Sequence, residues 1–493
     1  MQPSLWVAST PQTDHPPLDG EVTVDVAVLG AGITGLTAAT LLKEAGKTVA
    51  VVESKRIAEG VSGYTTAKLT SGHGLIYARL RSSFGPETAR AYAESNEAGL
   101  ARIAAFVEER GLECDFERTE NYVYSERPED VSQLRDEAEA ARAAGLDASF
   151  ITDTPLPYPV AGAVRLERQA QFHPRKYLLP LAAAIPGEGS HLFEWTRAFG
   201  VRDGLVRTDR GLVHARDVVV ATHLPFLDRG LYFAKAHPAM SYAVAAQAET
   251  ALEGMYISSS APRRSIRTAP DGVGRVLIVG GEGHKPGVEE DTRRPYASLE
   301  CFLSERFGLE NVRYRWSAHD YVPVDDLPYI GQLTRRSGHV HVATGFAKWG
   351  LTKGTLAAMM ITDAILGRAN PWAELYDASR IDPRRSAKAF ARENLAVGAR
   401  FVGDRLRPGE RHPDELGSNE GAVIRSGTRR LAVSRDEDGE LHILSARCTH
   451  LGCIVRWNTA EHTWDCPCHG SRFTAEGRVT EGPATADLEQ AEL

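Results

Sequence analysis

Two short boxes late in the chain constrain it more than any other feature: Cys448-Thr449-His450-Leu451-Gly452-Cys453 and, after twelve intervening residues, Cys466-Pro467-Cys468-His469-Gly470-Ser471. Each box gives one thiolate and one imidazole two or three positions apart. Two loops of this kind can grip a two-iron cluster, with cysteine on one iron and histidine on the other. Zinc accepts the same donor types, and a plain disulfide would use the same cysteines, so both stand beside the cluster on the residues alone. Four of the six cysteines fall between Cys448 and Cys468, whereas Cys114 and Cys301 stand alone in patterns that read as helix or strand. Such clustering favours a metal over a disulfide framework.

A chain of 493 residues is too long for one growing core, so at least two compact units are expected. Its 42% hydrophobic and 25% charged residues are ordinary for a globular protein. The net charge of -8 gives no basic field for nucleic acid or anionic lipid, and neither is expected as a partner. Residues 1–20 lack a basic segment followed by an apolar one. Apolar stretches such as Leu351 to Leu366 are interrupted and fall short of the ~20 residues of a membrane span. A cytoplasmic protein is the expectation.

At the other end, the apolar run Val22 to Leu29 leads into Gly30-Ala31-Gly32-Ile33-Thr34-Gly35, a helix-like segment to Ala45 and the strand-like Thr48 to Glu53. In this βαβ start Gly30 makes the tight turn, Gly32 lets the backbone approach a pyrophosphate and Gly35 lets helix and strand pack closely. The helix N-terminus turns unpaired N–H groups toward the phosphates. Glu53, 18 residues after Gly35, is placed for an adenosine ribose, with Ser54 beside it. A dinucleotide site follows. Ala91 to Arg110 and Val131 to Ala144 read as helices, Val273 to Val279 and Val340 to Ala343 as buried strands. From Gly398 to Gly417 the composition turns to Arg, Pro, Gly, Glu and Asp, as suits a linker. Three units are therefore expected: 1–397, the linker 398–417, and 418–493, the last with short strands and turns at Asp438-Gly439 and Glu476-Gly477.

Over about residues 20 to 370 the sequence resembles the flavoprotein amine and amino-acid oxidase family, the D-amino-acid oxidase-like group. Besides the glycine turn, the resemblance rests on residues 60–68 with Thr65, Thr66 and Lys68, on Asp325-Asp326-Leu327-Pro328-Tyr329-Ile330-Gly331, and on Ala343-Thr344-Gly345-Phe346-Ala347-Lys348-Trp349-Gly350-Leu351-Thr352. It implies noncovalent FAD in an α/β, Rossmann-like domain with an inserted antiparallel-sheet substrate domain. The late turn, Gly345 to Thr352, would lie beside the flavin pyrimidine ring, where a helix N-terminus favours negative charge. The resemblance also implies oxidation of an amine or amino acid, or a related small molecule, by hydride transfer to flavin. Candidate substrate contacts are His73, Tyr77, Tyr242, His319 and Tyr321, while Asp325 and Asp326 read as a turn before Pro328. Gly280-Gly281-Glu282-Gly283 lacks the spacing of a second dinucleotide site, so electrons are expected from a substrate rather than from NADPH.

The two late boxes resemble those of the Rieske family. That implies a small all-β domain with a 2Fe-2S cluster on Cys448, His450, Cys466 and His469, and a disulfide between Cys453 and Cys468. Ser471 matches a donor to a cluster sulfide, and Gly482-Pro483 a loop covering the cluster. Phe473 stands where high-potential relatives carry tyrosine; one donor fewer implies a lower potential. The combined expectation is a flavin enzyme passing electrons singly to the cluster and on to an unidentified acceptor, which a protein could be. The alternative is an electron-transfer partner with no small-molecule oxidation of its own.

Overall fold

The computed structural model of the protein describes residues 2–380, 390–395, 397–398, 401, 403 and 412–493. The first strand, Gly20–Leu29, is exposed at its start and fully buried over its last four residues, and Val49–Val52 beside it is buried throughout. Strands covered on both faces read as unbroken apolar runs, as here. They belong to an eight-stranded sheet with the order Tyr329–Gln332, Val340–Thr344, Gly211–Val220, Gly20–Leu29, Val49–Val52, His191–Phe193, plus a hairpin, Ala198–Arg202 with Leu205–Thr208, on Gly211–Val220. The central pairings are parallel, with Val26 level with Val49 on one side and Asp217 on the other. The helix Ile33–Glu44 packs against the late helix Gly350–Ile365, which is buried almost all round.

Between the first two strands of this sheet and its last ones, the chain builds a nine-stranded sheet, running from Val312–Pro323 through Ala236–Ala248 to Glu117–Ser125, Gly162–Gln171 and Lys68–Leu69. It is antiparallel except where Met255–Ser258 runs parallel to Glu117–Ser125. The strand expected from Val273 begins at Gly274: Val273 is fully exposed in the hairpin turn, where Gly272 takes a positive φ. The expected helices occur as Pro86–Glu109 and Val131–Ala143. The short helix Leu5–Ala8 buries Leu5 and Trp6, and Trp6 donates through Nε1 to the Thr65 carbonyl at 2.6 Å, bracing residues 60–68.

The late boxes lie on two small antiparallel sheets, Glu420–Ser426 with Arg429–Arg435 and Leu441–Ser445, and Arg456–Asn458 with Thr463–Asp465, Arg472–Thr474 and Val479–Glu481. Their hairpins turn at Gly439 and Gly477, both with positive φ, as the expected turns require. Most of segment 398–417 lies outside the described residues. Among the described residues no helix is long and apolar enough to cross a membrane.

Candidate functional site

The loop after Leu441–Ser445 and the loop between Thr463–Asp465 and Arg472–Thr474 bring Cys448, His450, Cys466 and His469 together. The two imidazoles stand nearly perpendicular with centroids 5.0 Å apart. The Cys466 thiol hydrogen-bonds Cys448, which lowers Cys448 and, with burial, raises Cys466 well above the usual thiol range. Burial lowers His450 and, aided by its neighbour His450, takes His469 down to about 3. His450 Nδ1 is buried and has no hydrogen-bond partner among the described residues. Two thiols, two neutral imidazoles and a buried ring nitrogen without a partner suit a two-iron cluster on these four residues. Cys453 and Cys468 form a disulfide, and their sulfurs lie within 4.8 Å of the Cys466 sulfur, so the bridge braces the site without taking part in it. The Ser471 hydroxyl reaches the Cys448 sulfur and accepts from the Ala484 N–H at 3.0 Å.

A large cavity of about 1390 Å³ runs from the first glycine turn to the late helix. Gly30 sits at φ +103°, where a Cβ would meet the Ala221 carbonyl at 2.6 Å; one on Gly35 would meet the Gly30 carbonyl at 1.9 Å. At Gly32 a Cβ would meet only Ser62 Oγ, at 3.0 Å, with the cavity beyond. The turn is thus a bare backbone cradle for phosphates. Ile33 and Thr34 continue it, and Glu53 accepts from the Ala31 and Lys55 N–H groups at 2.8 and 3.0 Å, with Ser54 alongside. Thr65, Thr66 and Lys68 line the far wall. These features fit FAD.

The late turn is held from the nine-stranded sheet. Ala347 and Lys348 both take positive φ, a costly backbone for residues with side chains. The Tyr321 carbonyl accepts from Ala347 N at 3.0 Å and Asp320 Oδ2 from Lys348 N at 2.5 Å. Phe346, Lys348, Trp349, Gly350 and Leu351 then line the cavity, with the helix N-terminus opening onto it. Gly345 only makes the turn, at φ +78°, and Thr352 points away, its hydroxyl 3.3 Å from the Thr70 carbonyl; neither borders the cavity. Three lysines surround this end. Burial lowers Lys68 and Lys353 to about 7 and Lys348 to about 8, although the Lys348 side chain is open to the cavity. Lys353 was passed over in the sequence as one interruption of an apolar run; a lone lysine on a helix otherwise this apolar was the available clue.

The candidate substrate contacts separate. Tyr242 lines the cavity with its hydroxyl 3.0 Å from His284 Nε2. His73 stacks on Trp349, but both its nitrogens are engaged, by Tyr92 at 2.6 Å and the Thr70 carbonyl at 2.7 Å. Burial holds it well below the usual imidazole range, so it is a neutral wall. Tyr77 is buried away from the cavity, donating to the Ser71 carbonyl. His319 borders the cavity, yet its Nδ1 faces Glu481 Oε2 at 2.8 Å. Tyr321 does not border the cavity at all: its hydroxyl donates to the His469 carbonyl at 2.8 Å. His319 and Tyr321, two positions apart and so on the same face of one strand, touch each other, with Nε2 3.4 Å from the hydroxyl, and serve the two sites from their common boundary. Asp325 and Asp326 likewise diverge, to Arg380 at 2.8 Å and Arg79 at 2.8 Å.

Glu481 was missed in the sequence. It comes from the last small strand, yet lines the flavin cavity together with Thr480, Gly482, Ala484 and Thr485. Burial alone would raise it, but His319, Arg472 and Lys55 overcome that and hold it well below the carboxylate range. The two cofactor sites thus share a wall.

Comparison with known proteins agrees with this geometry. Residues 25–364 match the FAD dependent oxidoreductase family and residues 410–492 the Rieske [2Fe-2S] domain. The chain belongs to the FAD dependent oxidoreductase family and is an oxidoreductase carrying FAD and a Rieske 2Fe-2S cluster. The same architecture extends over a relative in Bacillus subtilis (strain 168), YhfW, whose name gives it as a Rieske 2Fe-2S iron-sulfur protein: 33% identity over 99% of this chain and 97% of that one. Among solved structures, glycine oxidase from Geobacillus kaustophilus superposes with a TM-score of 0.62 at 18% identity over 73% of this chain and all of that one. L-proline dehydrogenase from P. horikoshii gives 0.61 at 19% identity over 74% of this chain and 98% of its own.

Proposed function

We propose that the protein oxidises an amine, an amino acid or a related small molecule and passes the electrons singly through its own cluster to an outside acceptor. The observation that carries this reading is the shared wall: Glu481 and its neighbours close the flavin cavity from one side while Tyr321 of the flavin half bonds the His469 loop from the other. Bound FAD supplies a two-electron acceptor for a C–H next to nitrogen, the product being an imine that water hydrolyses. The chain's own residues do the positioning. Tyr242 and His284 present a hydroxyl–imidazole pair to the substrate end. Lys348, bonded to the Met240 carbonyl at 2.9 Å and to Ser241 at 2.6 Å, ties the late turn to that same strand. A cavity walled by aromatic rings and by lysines near neutrality favours a substrate whose nitrogen arrives uncharged. In this reading 1–397 is the flavin half, 398–417 the connection and 418–493 the cluster half, and the protein works in the cytoplasm.

An anaerobic screen of amines and amino acids, following flavin absorbance, tests it. One class of substrate should bleach the flavin within the dead time or over seconds, and the cluster's paramagnetic signal should follow. Bleaching by NADPH alone, or by no amine at all, would replace the reading with that of an electron-transfer partner.

A further inference from the structure

Asp228 opens a single turn, Asp228–Gly230, in the segment following the strand Gly211–Val220 of the flavin half. Its Oδ1 lies 3.2 Å from Nε2 of His450. Because Nδ1 of that ring is the buried atom without a partner, Nδ1 faces the metal and Nε2 carries the proton, which it donates to the carboxylate. Phe233, one turn further on, packs edge-on against both cluster imidazoles, with centroid separations of 5.8 Å to His450 and 5.3 Å to His469. Tyr321 completes the seat through the His469 carbonyl. The imidazole edge of the cluster is therefore closed by the flavin half, and the His450 side chain is only 5% exposed.

We propose that Asp228 is a positioning residue of the cluster: it fixes His450 through the outer N–H and lowers the cluster's reduction potential below what its own two loops set. One-electron reduction of a two-iron cluster adds negative charge with no atom transferred. A carboxylate one hydrogen bond from a ligand opposes that charge and strengthens the ligand's donation to the oxidised iron. The carboxylate is itself 54% exposed, so water moderates the effect without removing a direct hydrogen bond. Phe473, which carries no hydroxyl where the resemblance to the Rieske family places a tyrosine, acts in the same direction. The two together favour onward delivery of electrons rather than their storage. This deepens the reading of the chain as a conduit from flavin to cluster and rests on it for its purpose, though not for its measurement.

The test is an anaerobic redox titration of the full-length protein with FAD and cluster in place and no substrate, read by the cluster's electron paramagnetic resonance signal. Asp228 has no other side-chain hydrogen bond among the described residues, so its replacement removes little else. In Asp228→Asn the equilibrium constant for one-electron reduction should rise about tenfold, a shift of about 59 mV to more positive potential. Asp228→Glu, which keeps the charge, should stay within about threefold of the parent. The proposal is overturned if the asparagine variant stays within about twofold of the parent, or if both variants shift equally. Loss of the cluster from the asparagine variant would also overturn it, making Asp228 an assembly residue. Because no substrate is present, failure here leaves amine oxidation untouched, and a failed amine screen leaves this titration valid.

Discussion

The flavin cavity draws its lining from Leu29 to Thr485, nearly the length of the chain, whereas all four proposed cluster ligands lie between Cys448 and His469. The first site exists only once two sheets have packed together. The second is two loops pinned by a disulfide. A site gathered from distant segments depends on tertiary packing; a site built from neighbouring loops depends on local geometry. The two should therefore fail separately.

Reciprocal variants give the largest effects. Gly32→Val pushes a side chain past Ser62 into the cradle, and FAD content should fall by at least about tenfold while the cluster's paramagnetic signal persists. His450→Ala removes an imidazole ligand; the protein should keep its yellow flavin and its reduction by substrate, and lose the cluster signal entirely. Joint loss of both cofactors in either variant would break the comparison. Next in size is the paired Cys453→Ser, Cys468→Ser change. The bridge closes a span of 15 residues, and its removal should cost roughly 3 kcal/mol, seen as an earlier melt of the cluster's visible dichroism with flavin fluorescence unchanged.

The same contrast explains what the sequence disclosed. The cluster ligands and the first glycine turn are contiguous words, and their neighbours in sequence are their neighbours in space. His319 and Tyr321 were legible as functional aromatics but not as residues of the shared wall, because that role depends on which face of Val312–Pro323 meets the cluster half. Glu481 and Asp228 carried no sign of their partners. Each lies in a short turn or strand whose own pattern is unremarkable, and each acquires meaning from a residue more than a hundred positions away. Lys353 differs again: its burial could have been inferred from the apolar helix around it.

Smaller effects sharpen the boundary between the halves. Tyr321→Phe removes the hydroxyl that bonds the His469 carbonyl at 2.8 Å and, more weakly, the Gly482 carbonyl at 3.4 Å across the shared wall, at about 1 kcal/mol, and should raise proteolysis near the junction while both cofactors remain. The subtlest concerns Lys353. Burial lowers it to about 7 against 10.5 in the unfolded chain, so between those values the unfolded chain holds a proton that the folded one has released. Its contribution to stability therefore rises from pH 7 toward pH 10, and below pH 7 the full cost of burying the charge is present. In FAD-free protein, Lys353→Met should be the more stable form at pH 6, with the difference from the parent shrinking by pH 9 in denaturant titrations.

Synthesis proceeds from the N-terminus, so the first glycine turn, residues 60–68 and the late helix leave the ribosome well before residues 480–485, which complete the cavity wall. A nascent chain that has emerged through Leu366 already holds the phosphate cradle but has an unroofed chamber. FAD taken up at that stage would meet an open wall, which the docking of residues 480–485 closes. The last segment to be made is thus the one that closes the flavin chamber, and it is the docking of residues 480–485, not the presence of the cluster, that completes its wall.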